Sequence, residues 1–368
     1  MSVVGTFDRL AQAPIGLLDG VRNRWLKLLG PLGRVLVRDR ELRVGLGGAL
    51  SITVALCLAL SFPLVLLAVS PLLLGIPHVG SDLRYLLFRP GLHKRWLFLV
   101  PLALCLALLA YYVDPRFGFA PVVIAGVVAR GASLLRRAVP IILGLGLILV
   151  GSMWPHELAL LFAHAHNFVA LGLFFAWRER KSHWHWLPVA VFAIGCAAIL
   201  FGLGETTLAA TRGLEISADT TDLYWQLAVY APGAGMIWGT RLVLLFAFAQ
   251  AMHYGVWLRL LPEEDRARAT PRTFSASFAA LREDWGRTGT ILVGLVTVVL
   301  AVWAVHDLYA ARMGYLRLVL FHGYFELAAV VLLWTEGRPF RSVDAPSSVA
   351  STSWKSPAPR ATEHALPR

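Results

Sequence analysis

The sequence predicts an all-α, polytopic integral membrane helix bundle of about ten transmembrane helices, with both termini cytoplasmic. Three observations predict it. Hydrophobic residues make up 57% of the 368 positions and charged residues only 15%, where a soluble domain carries about 25% charged residues. Mean hydropathy is +0.65, and apolar runs of about 20 residues, the length of one helical crossing, recur along the chain. Connections rich in Arg and Lys alternate with connections poor in them, as the positive-inside rule requires of a chain that crosses repeatedly.

Residues 1–44 interleave Arg22, Arg24, Lys27, Arg34, Arg38, Arg40 and Arg43 with Leu17, Leu18, Trp25 and Leu28, the pattern of a basic amphipathic segment lying on an anionic leaflet. The run from 45 to 88 is twice the length of one crossing and breaks at Ser61-Phe62-Pro63, giving spans near 45–61 and 64–88. Further spans are expected near 96–113, 117–129, 138–153, 155–176, 187–203, 232–258, 289–309 and 315–334, the second of these being short. Arg241 falls inside the 232–258 run, whose apolar core therefore begins at Leu242.

Basic residues cluster in the N-terminal segment, in 89–95, 130–137, 178–181 and 259–287, and after Arg338. The connections 114–116, 154, 204–231 and 310–314 are poorer in them. The alternation is unbroken if 117–129 crosses. Residues 204–231 carry Glu205, Glu215, Asp219 and Asp222 and are expected to form an external cap. Phe274, Phe278, Leu281 and Trp285 recur at helical spacing and predict a helix along the cytoplasmic interface. The chain thus divides into a basic segment (1–44), a transmembrane domain (45–336) and a tail (337–368) whose Pro and Ser content predicts disorder.

The net charge of +12 would point to nucleic acid in a soluble protein. Here the arginines lie between apolar runs, so membrane orientation accounts for them and no nucleic-acid partner is expected; the expected location is a bacterial inner membrane. Cys57, Cys105 and Cys196 lie within apolar runs without CxxC spacing and read as small packing residues. No P-loop, GxSxG or HExxH motif is present, and Asp8, Arg9 and Asp19 interrupt the stretch where a cleavable signal peptide would need its apolar core.

What remains is a set of ionisable residues at membrane depth, which are costly there and mark sites. His78 precedes Asp82 by one helical turn, so the two share a face, and Gly75 and Pro77 weaken the helix beside them. The 155–176 span carries His164 and His166, two residues apart and about 200° round a helix, so one is a ligand candidate and the other bonds a neighbouring helix. His253 follows Gln250 and precedes Trp257, and His322 precedes Glu326 by one turn. On the predicted topology all four helices run from outside to inside, with the histidines about 9–24 Å from the basic end. Imidazoles from four helices, two with a carboxylate a turn away, suit a borderline metal such as iron. His183 and His185, beside Trp184 and Trp186, read as a membrane-surface belt.

The segment Gly75-Ile76-Pro77-His78-Val79-Gly80-Ser81-Asp82 resembles the GxPHGxxD segment of the Brp/Blh-type membrane beta-carotene dioxygenases. The match covers about a dozen residues; Gly80 stands one residue later than that family's Gly, and Trp257 stands where it tends to carry a second His. The resemblance implies a non-haem Fe(II) oxygenase in which His78, His164 or His166, His253 and His322 hold the metal. Asp82 and Glu326 would orient those ligands or complete the coordination, with O2 and an apolar membrane-dissolved molecule as substrates. Carotenoid cleavage to retinal is the reaction the family performs. Two other readings stand beside it. One is a b-type haem held by histidines for electron transfer; the other is a transporter or lipid-binding protein whose Asp82, Arg84, Glu157 and Glu326 serve a proton path.

Overall fold

The computed structural model describes residues 3–178, 182–211, 222–266 and 270–338. These form an all-α helix bundle, and among the described residues there is no strand. Helices α1 (Val3–Leu28) and α2 (Gly30–Arg38) make a basic hairpin whose Leu17, Val21, Trp25, Leu28, Leu32 and Val35 are exposed, as a surface-lying amphipathic segment requires. Then come α3 (Arg40–Ser61), α4 (Pro63–Phe88), α5 (Trp96–Tyr112), α6 (Pro115–Val128), α7 (Leu134–Met153), α8 (Pro155–Ala176) and α9 (Trp186–Leu200). Two short helices follow, α10 (Leu203–Thr211) and α11 (Leu223–Tyr230), then α12 (Gly235–Glu264), α13 (Phe274–His306) and α14 (Leu308–Thr335). Among the described residues, eight segments are long and apolar enough to cross a membrane, and α5 and α6, of 17 and 14 residues, are shorter apolar helices. The ten apolar runs of the sequence are all helices.

Several boundaries follow from polar caps. The Asp39 carboxylate accepts from Leu42 N (3.0 Å), Asp114 from Arg116 N (2.9 Å), and Thr273 Oγ1 from Ala276 N (3.1 Å). Each satisfies amide groups that a helix start leaves free, worth about 1 kcal/mol. One cap corrects an expectation. The turn before the last span lies at Asp307, whose side chain accepts from Ala310 N (2.9 Å), so residues 310–314 are helical rather than a connection. Arg312 is thereby carried into the bundle. The helix expected along the interface is the first part of α13. It ends at Gly286, whose φ of 70° is open to glycine at little cost, and the apolar part of α13 continues beyond it. The cap expected over 204–231 contains α10 and α11; residues 212–221 lie outside the described residues, as does the tail from 339 onward.

Hydropathy does not distinguish inner from outer helices, but burial does. In the most apolar window of each, α4 and α12 are 56% buried and α14 is 50% buried, whereas α7 and α13 are 17% and 11% buried. α4, α12 and α14 therefore form the centre, α8 packs beside α12, and the exposed leucines and valines of α7 and α13 make an apolar outer surface. Such a surface is stable only in lipid; the chain is an integral membrane protein.

At the arginine-rich end the helices are tied by ion pairs. Arg43 pairs with Glu263, Arg178 with Glu41 and Glu264, and Arg89 with Asp265. Arg84 meets Asp284 at 2.6 Å and Arg95 meets Glu336 at 2.8 Å. Half of these acidic partners come from the Glu263-Glu264-Asp265 run at the end of α12, which lies within a stretch the sequence reads as a basic connection.

Candidate metal centre

The centre is built from four helices. α4 carries His78 and Asp82, α8 carries His166, α12 carries His253, and α14 carries His322 and Glu326. Around His78 the helix departs from α geometry. Residues Pro71–Gly75 and Leu83–Phe88 are π-helical, as is Val256–Leu260 just after His253. Pro71 and Pro77 lack an amide hydrogen, which makes the wider turn accessible, and π turns of this kind recur at functional sites. Gly75 lets α14 approach; a Cβ there would lie 2.2 Å from the Tyr315 hydroxyl.

His78, His253, His322 and Glu326 each offer a ligand atom within 4.8 Å of the others. His78 and His253 face each other Nε2 to Nε2 at 3.0 Å. The ring of His322 is 5.3 Å from that of His78, and the ring of His166 is 5.2 Å from His253 and 5.3 Å from His322. Glu326 Oε1 lies 3.8 Å from His78 Nε2 and 3.7 Å from His253 Nε2. His78, His253 and Glu326 are each 1% exposed and Asp82 is 0% exposed.

The second nitrogen of each imidazole decides what the first can do. The Nδ1 groups of His166, His253 and His322 donate to backbone carbonyls: Ala163 O (2.9 Å), Asn167 O (3.3 Å) and Val319 O (2.7 Å). A carbonyl only accepts, so Nδ1 carries the hydrogen and Nε2 of the neutral ring presents a lone pair. His78 Nδ1 stands 3.2 Å from Asp82 Oδ1, a carboxylate within reach of the ring but not aligned for a hydrogen bond. Carbonyls on Nδ1 orient metal-ligating histidines in this way. Among the described residues, His78 Nδ1, both oxygens of Asp82 and both of Glu326 are buried without a well-formed hydrogen bond. The centre thus gathers imidazole lone pairs and two carboxyl groups in one buried place, an arrangement that a bound cation would resolve. Metal–nitrogen bonds of about 2.1 Å set two cis ligands at right angles about 3.0 Å apart, the separation of the two facing nitrogens. The donor set fits a single metal ion.

The sequence leaves the choice between His164 and His166 open; the structure places only the His166 ring beside the other imidazoles. His164 Nε2 bonds the Tyr230 carbonyl at 2.9 Å and its ring packs on Phe246 at 5.2 Å. It points to the other side of α8, as two residues on a 3.6-residue turn must. His183 and His185 also lie outside the cluster. The structure adds Tyr254 and Trp257, whose rings lie 5.3 and 5.9 Å from that of His78. Their one- and four-residue spacing from His253 was the available signal. On the arginine-rich side Trp285, at the end of the first part of α13, covers Gly80, where a Cβ would lie 2.6 Å from its ring.

Compared with known proteins, the chain matches no protein-family model, no curated protein and no solved structure.

Proposed function

We propose that the protein is a membrane-embedded, histidine-ligated non-haem iron oxygenase acting on an apolar, lipid-soluble substrate. The observation that carries this reading is the convergence of His78, His253, His322 and Glu326, whose ligand atoms lie within 4.8 Å of one another, with the His166 ring packed against His253 and His322 and the Nδ1 groups of His166, His253 and His322 held by backbone carbonyls. His78, His166, His253 and His322 would hold the ion through Nε2, with Glu326 as a carboxylate ligand. Such an ion, when bound, supplies O2 activation. Asp82 stands within reach of His78 Nδ1, and the backbone carbonyls fix the tautomer and the ring plane of the other three. Tyr254 and Trp257 wall the His78 side and exclude water. The depth of the centre among apolar helices favours a substrate that arrives from the lipid, and the likeness of residues 75–82 to the Brp/Blh-type segment makes a carotenoid-like polyene the first substrate class to try.

Haem fits the geometry less well. A bis-histidine haem sets two rings on opposite faces of a flat macrocycle, and rings with centroids 4.6–5.3 Å apart on several sides leave no slot for one.

The test is incubation of Fe(II)-loaded protein with beta-carotene and other apolar polyenes under O2, with products separated by chromatography. Cleaved or oxygenated product, absent from the His253→Ala variant and after chelation, is the expected result. Turnover that survives removal of the metal would overturn the assignment.

A further inference from the structure

Arg312 is 0% exposed, on α14, in a stretch the sequence suggested was a loop. Its Nε donates to Leu67 O at 3.0 Å, one N–H of Nη2 donates to the Tyr230 hydroxyl at 3.2 Å, and Trp225 of α11 covers its face at 5.1 Å. Nη1 is buried and bonds nothing. Among the described residues Arg312 forms no ion pair. A guanidinium has five N–H groups and stays charged in any protein, so this one keeps both hydrogens of Nη1 and one of Nη2 unsatisfied. A buried cation without a counter-ion is among the costliest arrangements a membrane bundle can hold. The aromatic face and two neutral acceptors offset only part of that cost.

We propose that Arg312 is the docking point for the carboxylate of a membrane-dissolved long-chain acid. The two Nη groups present a planar fork that matches a carboxylate with two parallel hydrogen bonds. The surroundings favour an apolar acid over a strongly hydrated phosphate headgroup, because the guanidinium is 0% exposed and packed against Trp225 and the Tyr230 hydroxyl.

The position also relates this site to the histidines. His322 lies ten residues beyond Arg312, past a turn at 319–321, and His78 lies eleven beyond Leu67 on α4, about 15–17 Å at 1.5 Å per residue. Tyr254, whose ring packs on His78, interacts electrostatically with both Arg312 and Asp82. An acid anchored at Arg312 would therefore place a bond well along its chain, not its head, at the metal. That last step rests on the oxygenase reading; the anion site does not.

The test uses full-length protein in non-ionic detergent and a long-chain fatty acid labelled with carbon-13 at the carboxyl. Wild type is expected to bind it at one saturable site, with the bound carboxyl remaining ionised to lower pH than the free acid in detergent. The methyl ester and the alcohol of the same chain should fail to displace it. Arg312→Gln should weaken binding by about tenfold or more, and Arg312→Lys by less. Equal binding of acid and ester, occupancy by chloride with no preference for the acid, or a folded Arg312→Gln protein that binds as wild type would overturn the proposal. If the glutamine variant does not fold, the comparison of acid with ester on wild type decides. Metal content measured on the same samples separates the two claims: acid binding without metal refutes only the oxygenase reading, and metal without acid preference refutes only the anion site.

Discussion

Replacing Glu326 by Gln should have effects of opposite sign on the metal-free and metal-loaded protein. Both Glu326 oxygens are buried, and the side chain lies against the equally buried Asp82 carboxyl. Without metal, the Glu326 carboxyl is buried against the Asp82 carboxyl and the imidazole lone pairs. The isosteric amide cannot ionise and can donate to an Nε2, so the metal-free variant should be as stable as wild type or more stable. With metal the carboxylate is a ligand. If its loss weakens affinity tenfold, the stabilisation RT ln(1 + [L]/Kd) falls by about 1.4 kcal/mol at a fixed excess of metal. Thermal unfolding in detergent, with chelator and then with added Fe(II), measures both. A Glu326→Gln protein destabilised equally in both states would refute the reasoning, because that is the behaviour of a carboxylate that serves only as a packing hydrogen-bond partner.

Other substitutions probe separate parts of the account. His166→Ala should abolish stoichiometric metal binding, while His164→Ala should keep the metal and lose about 1 kcal/mol of stability with its bond to the Tyr230 carbonyl; elemental analysis and melting curves check both. Gly80→Ala should destabilise by about 1–3 kcal/mol because its Cβ would meet the Trp285 ring at 2.6 Å, and Trp285→Leu should relieve that cost in a double-mutant cycle read by melting. Asp19 of α1 accepts from Phe274 N (2.6 Å) and from Ser275 N (3.1 Å) and Oγ (2.6 Å) of α13. Slight burial opposes ionisation, but the hydrogen bonds from Ser275 and Phe274 outweigh it and hold the carboxyl below its ordinary 3.8. A depressed folded value means that the docking of α1 is fully present above pH 3.8 and is lost as pH falls through the lower folded value. Protease cleavage between α1 and α3 should rise only in that acid range, and Asp19→Asn should be cleaved faster at neutral pH.

The helices and the histidines were legible in the sequence for the same reason. An imidazole or carboxylate in a run that must be apolar stands out against a uniform background, and His78, Asp82, His253, His322 and Glu326 do so. Their convergence was not legible. Depth counted from arginine clusters spread the histidines over about 15 Å, because boundaries shift by a turn and because π turns beside His78 and His253 alter the count along α4 and α12. The choice between His164 and His166 depends on how α8 is rotated, which its packing on α12 sets and its composition does not; its apolar residues surround it on all sides. Arg312 was misplaced because Asp307 begins a helix three residues before the expected connection. Glu263, Glu264 and Asp265 were hidden within a basic stretch, although they supply the partners that lock Arg43, Arg178 and Arg89 over the centre.

The most direct measurement is metal analysis with a visible spectrum on detergent-purified protein, wild type beside His78→Ala. Close to one iron per chain is expected in wild type with no haem absorption band, and loss of that iron in a variant that keeps its helical circular dichroism. Iron-free wild-type protein that neither takes up Fe(II) nor changes its metal content on loss of His78 would contradict that expectation.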